Sequence, residues 1–319
     1  MPVTASPVSP YDLLGVSYAH AKGIFGSNIT VAIIDTGIAL HQDFFHVPAP
    51  YSHMPRSCKC RIHAFHDILG KNRMPVDTNG HGTHIAGIIG SCGMANGHYI
   101  GIAPACSLLA IRILDGHGNG HFEHLLKAID WILMHRHQYH IRIVNISIGA
   151  LPSGNPDRDD LVLAAVESLW DAGIIVVSAA GNQGPDKCTV TVPGTSPKII
   201  TVGAYDDDLA VRSNGRIVKH YSGRGPTRAC VIKPEIVAPG YGITSCRNHK
   251  YGYTTKSGTS MATPFVSGAI ALLLELHPEM TGRDVKLALY HSCRDLGLSK
   301  EQQGWGLLSI PALLQYHPL

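Results

Sequence analysis

The chain has 319 residues, 45% of them hydrophobic and 15% charged, with a formal net charge of +3 when its 20 histidines are neutral. That length buries one sizeable core, and α/β enzymes of this size often remain a single domain. So slight a positive excess, without any Lys/Arg cluster, argues against nucleic acid or an anionic membrane as partner, and no apolar run reaches the roughly 20 residues of a spanning helix.

The start, Met1–Pro10, lacks the basic and apolar stretches of a secretory signal. Its prolines at 2, 7 and 10 favour an extended backbone. We therefore expect a cytoplasmic protein whose eight cysteines are reduced. The run Thr30–Ile34 ends abruptly in Asp35-Thr36-Gly37. A β-branched run of this kind suits a strand buried on both faces of a parallel sheet, and an acid at its carboxyl end lies where open α/β sheets place ligands. Taken alone, Asp35 is equally a turn cap. Cys58-Lys59-Cys60, with His53, His63 and His66 nearby, departs from the Cys-x-x-Cys of common zinc sites and reads as surface loop.

Next, Asn79-Gly80-His81-Gly82-Thr83-His84 opens a helix whose first turn is crowded with small residues. A strand over Ser107–Leu114 leads into the glycine-rich loop Gly116–Gly120. A helix then starts near Gly120, with solvent-facing histidines at 117, 121, 124, 135, 137 and 140. Strands follow over Arg142–Ile148, Ile174–Ala179 and Lys198–Ala204, with a helix from near Asp159. Helices over Ser260–Leu276 and Thr281–Cys293 close the pattern. Strand–helix alternation predicts an α/β fold, a mostly parallel sheet with helices on both faces and right-handed crossovers.

At Gly258-Thr259-Ser260-Met261-Ala262-Thr263-Pro264 a serine stands at the start of a wholly apolar helix. Unpaired amides and the helix dipole favour negative charge there, which suits a nucleophile whose attack creates an oxyanion. The bland alternative is a capping serine. It loses ground once Asp35 and His81 are read beside it.

These three blocks, Asp-Thr-Gly, His-Gly-Thr-His-x-Ala-Gly and Gly-Thr-Ser-Met-Ala-x-Pro, in the order Asp…His…Ser, resemble the subtilisin family of serine proteases, the subtilases. The resemblance runs from about Gly23 to Gly306. Residues 1–22 are then a short N-terminal extension, like that of intracellular subtilisins, and 23–319 a single catalytic domain. The family implies an endopeptidase acting on peptide or protein substrates, with Ser260 as nucleophile, His81 as base and Asp35 orienting the imidazole. Asn182, in Ala179-Ala180-Gly181-Asn182, would donate to the oxyanion. Ser147, Ile148 and Gly149, with Thr191 at the base, would wall the primary pocket. Gly118 and Gly120 would line the edge that pairs with substrate backbone. Leu114, Phe122, Leu125 and Ile148 map to an apolar pocket for the residue four positions before the cut. No cofactor is required for the chemistry. A structural calcium, with Asp43 and Asn96 as ligands, is a further expectation. The rival class is an inactive family member that binds a partner through its cleft. The intact Asp35, His81, Ser260 and Asn182 argue against it.

Overall fold

The β-branched runs become the strands of one seven-stranded sheet in the order β2-β3-β1-β4-β5-β6-β9, every neighbouring pair parallel. They are β1 (Thr30–Asp35), β2 (Ile62–Asp67), β3 (Ser107–Arg112), β4 (Ile141–Ile146), β5 (Ile175–Ala179), β6 (Ile200–Ala204) and β9 (Ile236–Ala238). The structure, a computed structural model, describes residues 8–45, 60–70, 72–95, 100–152, 156–213 and 216–316. All six residues of β1 are buried, as a strand covered on both faces requires. Side chains alternate between two apolar layers. Val31 and Ile33 join the core beneath α3 (His81–Gly90) and α6 (Thr259–Leu276), whereas Ala32 and Ile34 join that beneath α4 (Phe122–His135) and α5 (Pro156–Asp171).

Helix α6 organises the first layer. It is long and apolar enough to cross a membrane by composition, yet 83% of it is buried inside the molecule, making it a core helix. Phe265, Leu272 and Leu273 are fully buried, each worth about 1.5–3 kcal/mol of burial. Gly268 lets Ile102 approach so closely that an added Cβ would stand 2.6 Å from the Ile102 Cβ. The last long helix is α7 (Gly282–Ser292), started by a reciprocal Thr281–Asp284 cap.

The chain runs from β1 to β2 and β3 on one side of β1, then crosses to β4 and the remaining strands on the other. This reversal makes the carboxyl end of β1 a topological switch point, where a crevice opens outside the sheet.

Several elements depart from expectation. Strand β2 was not anticipated, because His63 and His66 interrupt its apolar pattern. They lie on a sheet-edge strand rather than a surface loop, and the His66 ring stacks on Trp131 at 4.8 Å. His135 also stacks on Trp131, at 4.2 Å, so it is packed rather than solvent-facing. Cys58 and His53 lie outside the described residues. Two small hairpins, β7–β8 (Val211–Ser213 and Arg216–Val218) and β10–β11 (Ile243–Cys246 and Tyr253–Lys256), were also missed. Pro10 does not extend the tail but opens a short helix, α1 (Pro10–Leu14), followed by α2 (Val16–Ala21). Leu14, Val16 and Ala19 enter the α6 core, and Tyr11 packs on Phe265 at 5.2 Å. Residues 1–7 lie outside the described residues.

Candidate active site

Asp35 ends β1 fully buried, and His81 is the first residue of α3. The two meet at the switch point: His81 Nδ1 lies 2.8 Å from Asp35 Oδ1 and 3.0 Å from Oδ2. Asp35 Oδ1 also accepts the Thr36 amide at 2.7 Å. With Nδ1 donating to the carboxylate, Nε2 is the nitrogen left to act as base. Burial opposes a charge on His81, but the adjoining Asp35 carboxylate outweighs it and raises the imidazole above its ordinary pKa of 6.5.

The placement of His81 rests on a residue that sequence reasoning missed. Buried Asp77 accepts five hydrogen bonds, from Thr36 Oγ1, the amides of Asn79, Gly80 and Thr83, and Thr83 Oγ1, at 2.6 to 3.0 Å. Thr36 Oγ1 in turn accepts the Gly82 amide at 2.9 Å, tying β1 to the first turn of α3. Asp77 thereby satisfies orphan amides of a helix start that has no side-chain cap of its own. Its one legible signal was an acid a few residues before a helix.

Ser260 lies in the first turn of α6, beside Gly258 with φ +143°. Its hydroxyl donates to the Ser147 carbonyl at 2.7 Å, and among the described residues it makes no hydrogen bond to His81. Asn182 follows β5. Its Oδ1 accepts the Thr259 amide at 2.9 Å and Thr259 Oγ1 at 3.1 Å. Because a backbone amide can only donate, this contact fixes the carboxamide orientation and leaves Nδ2 free as a donor.

One cleft of about 670 Å³ takes in His81, Ser260 and Asn182. The structure brings Gly118, Gly120, Ser147, Ile148, Gly149 and Thr191 to the same cleft. Thr191 lies between the β4 and β5 ends, and a Cβ on Gly149 or Gly181 would approach its side chain to 2.5 or 2.4 Å. Those two glycines therefore keep the floor open. Leu114, Phe122, Leu125 and Ile148 line the far end, where the Arg158 guanidinium lies 4.4 Å from the Phe122 ring centroid.

At Asp43, where the resemblance implied a calcium ligand, the described neighbours are hydrogen-bond donors to the carboxylate. Asp43 is fully buried, and its carboxylate accepts Ser91 Oγ at 2.5 Å, Tyr253 OH at 2.8 Å, the Ala95 amide at 2.9 Å and Cys246 Sγ at 3.6 Å. These neighbours are donors to the carboxylate, and the other ligand-type atoms close by are His41 Nδ1 and Cys246 Sγ. Calcium wants six to eight oxygens, so the described residues do not fit it. Asp43 is instead a hub of hydrogen bonds joining the turn after β1 to β10 and β11. Asn96 lies outside the described residues.

Comparison with known proteins gives the family. The subtilase family model matches residues 26–306. Serine protease AprX of Bacillus subtilis (strain 168) is 38% identical over 84% of this chain and 63% of its own length. The chain thus spans less than two thirds of that relative, and 40% of minor extracellular protease Epr of the same organism, at 33% identity over 93% of this chain. Subtilisin DY of Bacillus licheniformis is 30% identical over 95% of this chain and 97% of its own length. The crystal structure of a cold-adapted subtilisin-like serine proteinase superposes with a TM-score of 0.68 at 27% identity, covering 90% of both chains. By family model, by relatives and by fold, this chain belongs to the subtilase family of serine proteases.

Proposed function

We propose that this protein is a serine endopeptidase working through Asp35, His81 and Ser260 and an acyl-enzyme intermediate. The observation that carries the reading is the buried Asp35–His81 pair opening onto the same cleft as Ser260 and the free Nδ2 of Asn182. Rotation of the Ser260 hydroxyl from the Ser147 carbonyl toward His81 Nε2, between staggered wells, readies it for attack. His81 takes the hydroxyl proton as Oγ bonds to the scissile carbonyl carbon, and Asp35 stabilises the resulting imidazolium without itself being protonated. Asn182 Nδ2 and the Ser260 amide, at the start of α6, donate to the oxyanion. His81 then delivers its proton to the leaving amine, and water, activated by the same imidazole, releases the acyl group.

The substrate class is peptide or protein. The cleft is lined mainly by apolar groups near Thr191, Ile148 and Phe122, which favours medium to large apolar residues before the scissile bond. No cofactor takes part.

A fluorophosphonate probe tests the reading in one gel lane. Wild-type protein should be labelled and should hydrolyse casein, whereas Ser260→Ala should do neither while melting at the same temperature. Casein hydrolysis by Ser260→Ala at the wild-type rate would remove Ser260 from its role.

A further inference from the structure

On the opposite side of His81 and Ser260 from the apolar cleft lies a second cavity, of about 600 Å³. Its walls come from Val211 and Val218 of the β7–β8 hairpin, from Tyr221 and Tyr241, and from Lys256 at the end of β11. If acyl-side residues occupy the first cleft, the leaving-group side of the scissile bond enters this one. Lys256 is half-buried, and among the described residues it forms no ion pair. Its ammonium is close enough to His81 to oppose protonation of that ring.

A second group points the same way. The Tyr221 hydroxyl is buried and has no hydrogen-bond partner among the described residues. Burial and the neighbouring aspartates hold that hydroxyl protonated, so it is a donor in search of an acceptor. Of the acids around it, Asp206 accepts the Gly240 and Tyr241 amides at 2.8 and 3.1 Å, Asp207 pairs with Arg224 at 3.1 Å, and Asp208 is exposed to solvent. The unpaired cation Lys256 on the wall of this cavity is matched by a ligand carrying a carboxylate.

We infer that this cavity is a specificity site for an acidic side chain, Asp or Glu, on the residue immediately after the scissile bond, with Lys256 as its counter-ion. The inference rests on the peptidase reading and names the substrate class of its leaving-group side. Two internally quenched peptides that differ only in Asp or Asn at that position separate the charge from the shape. The Asp peptide should be cut with kcat/KM about tenfold higher, the ratio falling in 1 M salt where screening is short-ranged. Lys256→Glu should invert the preference between Asp and Lys peptides, while its melting temperature reports that the fold is intact. Binding of the same peptides to Ser260→Ala, by fluorescence anisotropy, reads the site without turnover. Equal kcat/KM and equal binding for the Asp and Asn peptides would overturn the inference and leave the peptidase reading untouched. Preferential binding of the Asp peptide with cleavage of neither would uphold the site and overturn the peptidase reading.

Discussion

Asp77 offers the sharpest test of how the fold holds the catalytic base. Replacing it by Asn keeps the size and removes the charge. In one orientation of the new amide, its NH2 group faces the Thr83 amide; in the other it faces the amides of Asn79 and Gly80. Backbone amides cannot accept, so even the better orientation leaves one buried N–H unpaired, costing about 1–3 kcal/mol. The three contacts that survive lose their charge assistance, which adds roughly 1–2 kcal/mol. The expected destabilisation is about 2–5 kcal/mol, a large part of a typical stability of 5–15 kcal/mol. Urea unfolding should be measured in a Ser260→Ala background, which removes self-digestion as a cause of loss. In the active background kcat should fall at least tenfold with little change in KM, because Asp77 orients the His81 turn and does not line the cleft. Its negative charge also helps to raise His81, so the acid limb of the pH profile should move to lower pH. An Asp77→Asn variant with the wild-type urea midpoint and kcat would refute the claim that this hub positions the base.

Asn182→Ala should lower kcat by roughly 10²–10³ with KM nearly unchanged, since the amide acts on charge that develops in the transition state; steady-state kinetics on a chromogenic peptide decides it. His81 must be neutral to accept a proton and its pKa is raised by Asp35, so kcat/KM should rise with pH along a limb centred above 6.5. Asp35→Asn removes the main cause of that rise: the limb should move to lower pH while kcat drops by roughly 10⁴. Away from the site, Lys233 is fully buried with Nζ 2.6 and 2.8 Å from the two Glu235 oxygens, and burial pulls its pKa down to about 8. Glu235→Gln strands that charge and should cost about 3–5 kcal/mol in denaturant unfolding, with kcat of the surviving folded enzyme unchanged.

What the sequence by itself determined are features written locally. A β-branched run ending in Asp35, a small-residue helix start at His81 and an apolar helix beginning at Ser260 each declare their own element and the end at which the functional residue sits. Alternation of such elements dictates a parallel sheet, and that sheet puts strand ends and helix starts on one rim. Residues that matter through distant partners leave no such trace. Asp77 takes four of its bonds from the turn that follows it, but it is tied to β1 only through Thr36, 41 residues earlier in the chain. Asp43 looked like a calcium ligand until Ser91, Cys246 and Tyr253, 48 to 210 residues away in sequence, arrived as donors. Nothing in the sequence around Lys256 marks a site, and only the juxtaposition of β11, the β7–β8 hairpin and Tyr221 makes it a wall of a cavity beside His81. Periodicity and capping act over a few residues and can be read along the chain. Hydrogen-bond satisfaction and charge pairing are settled across hundreds of residues, by the closing of the fold itself.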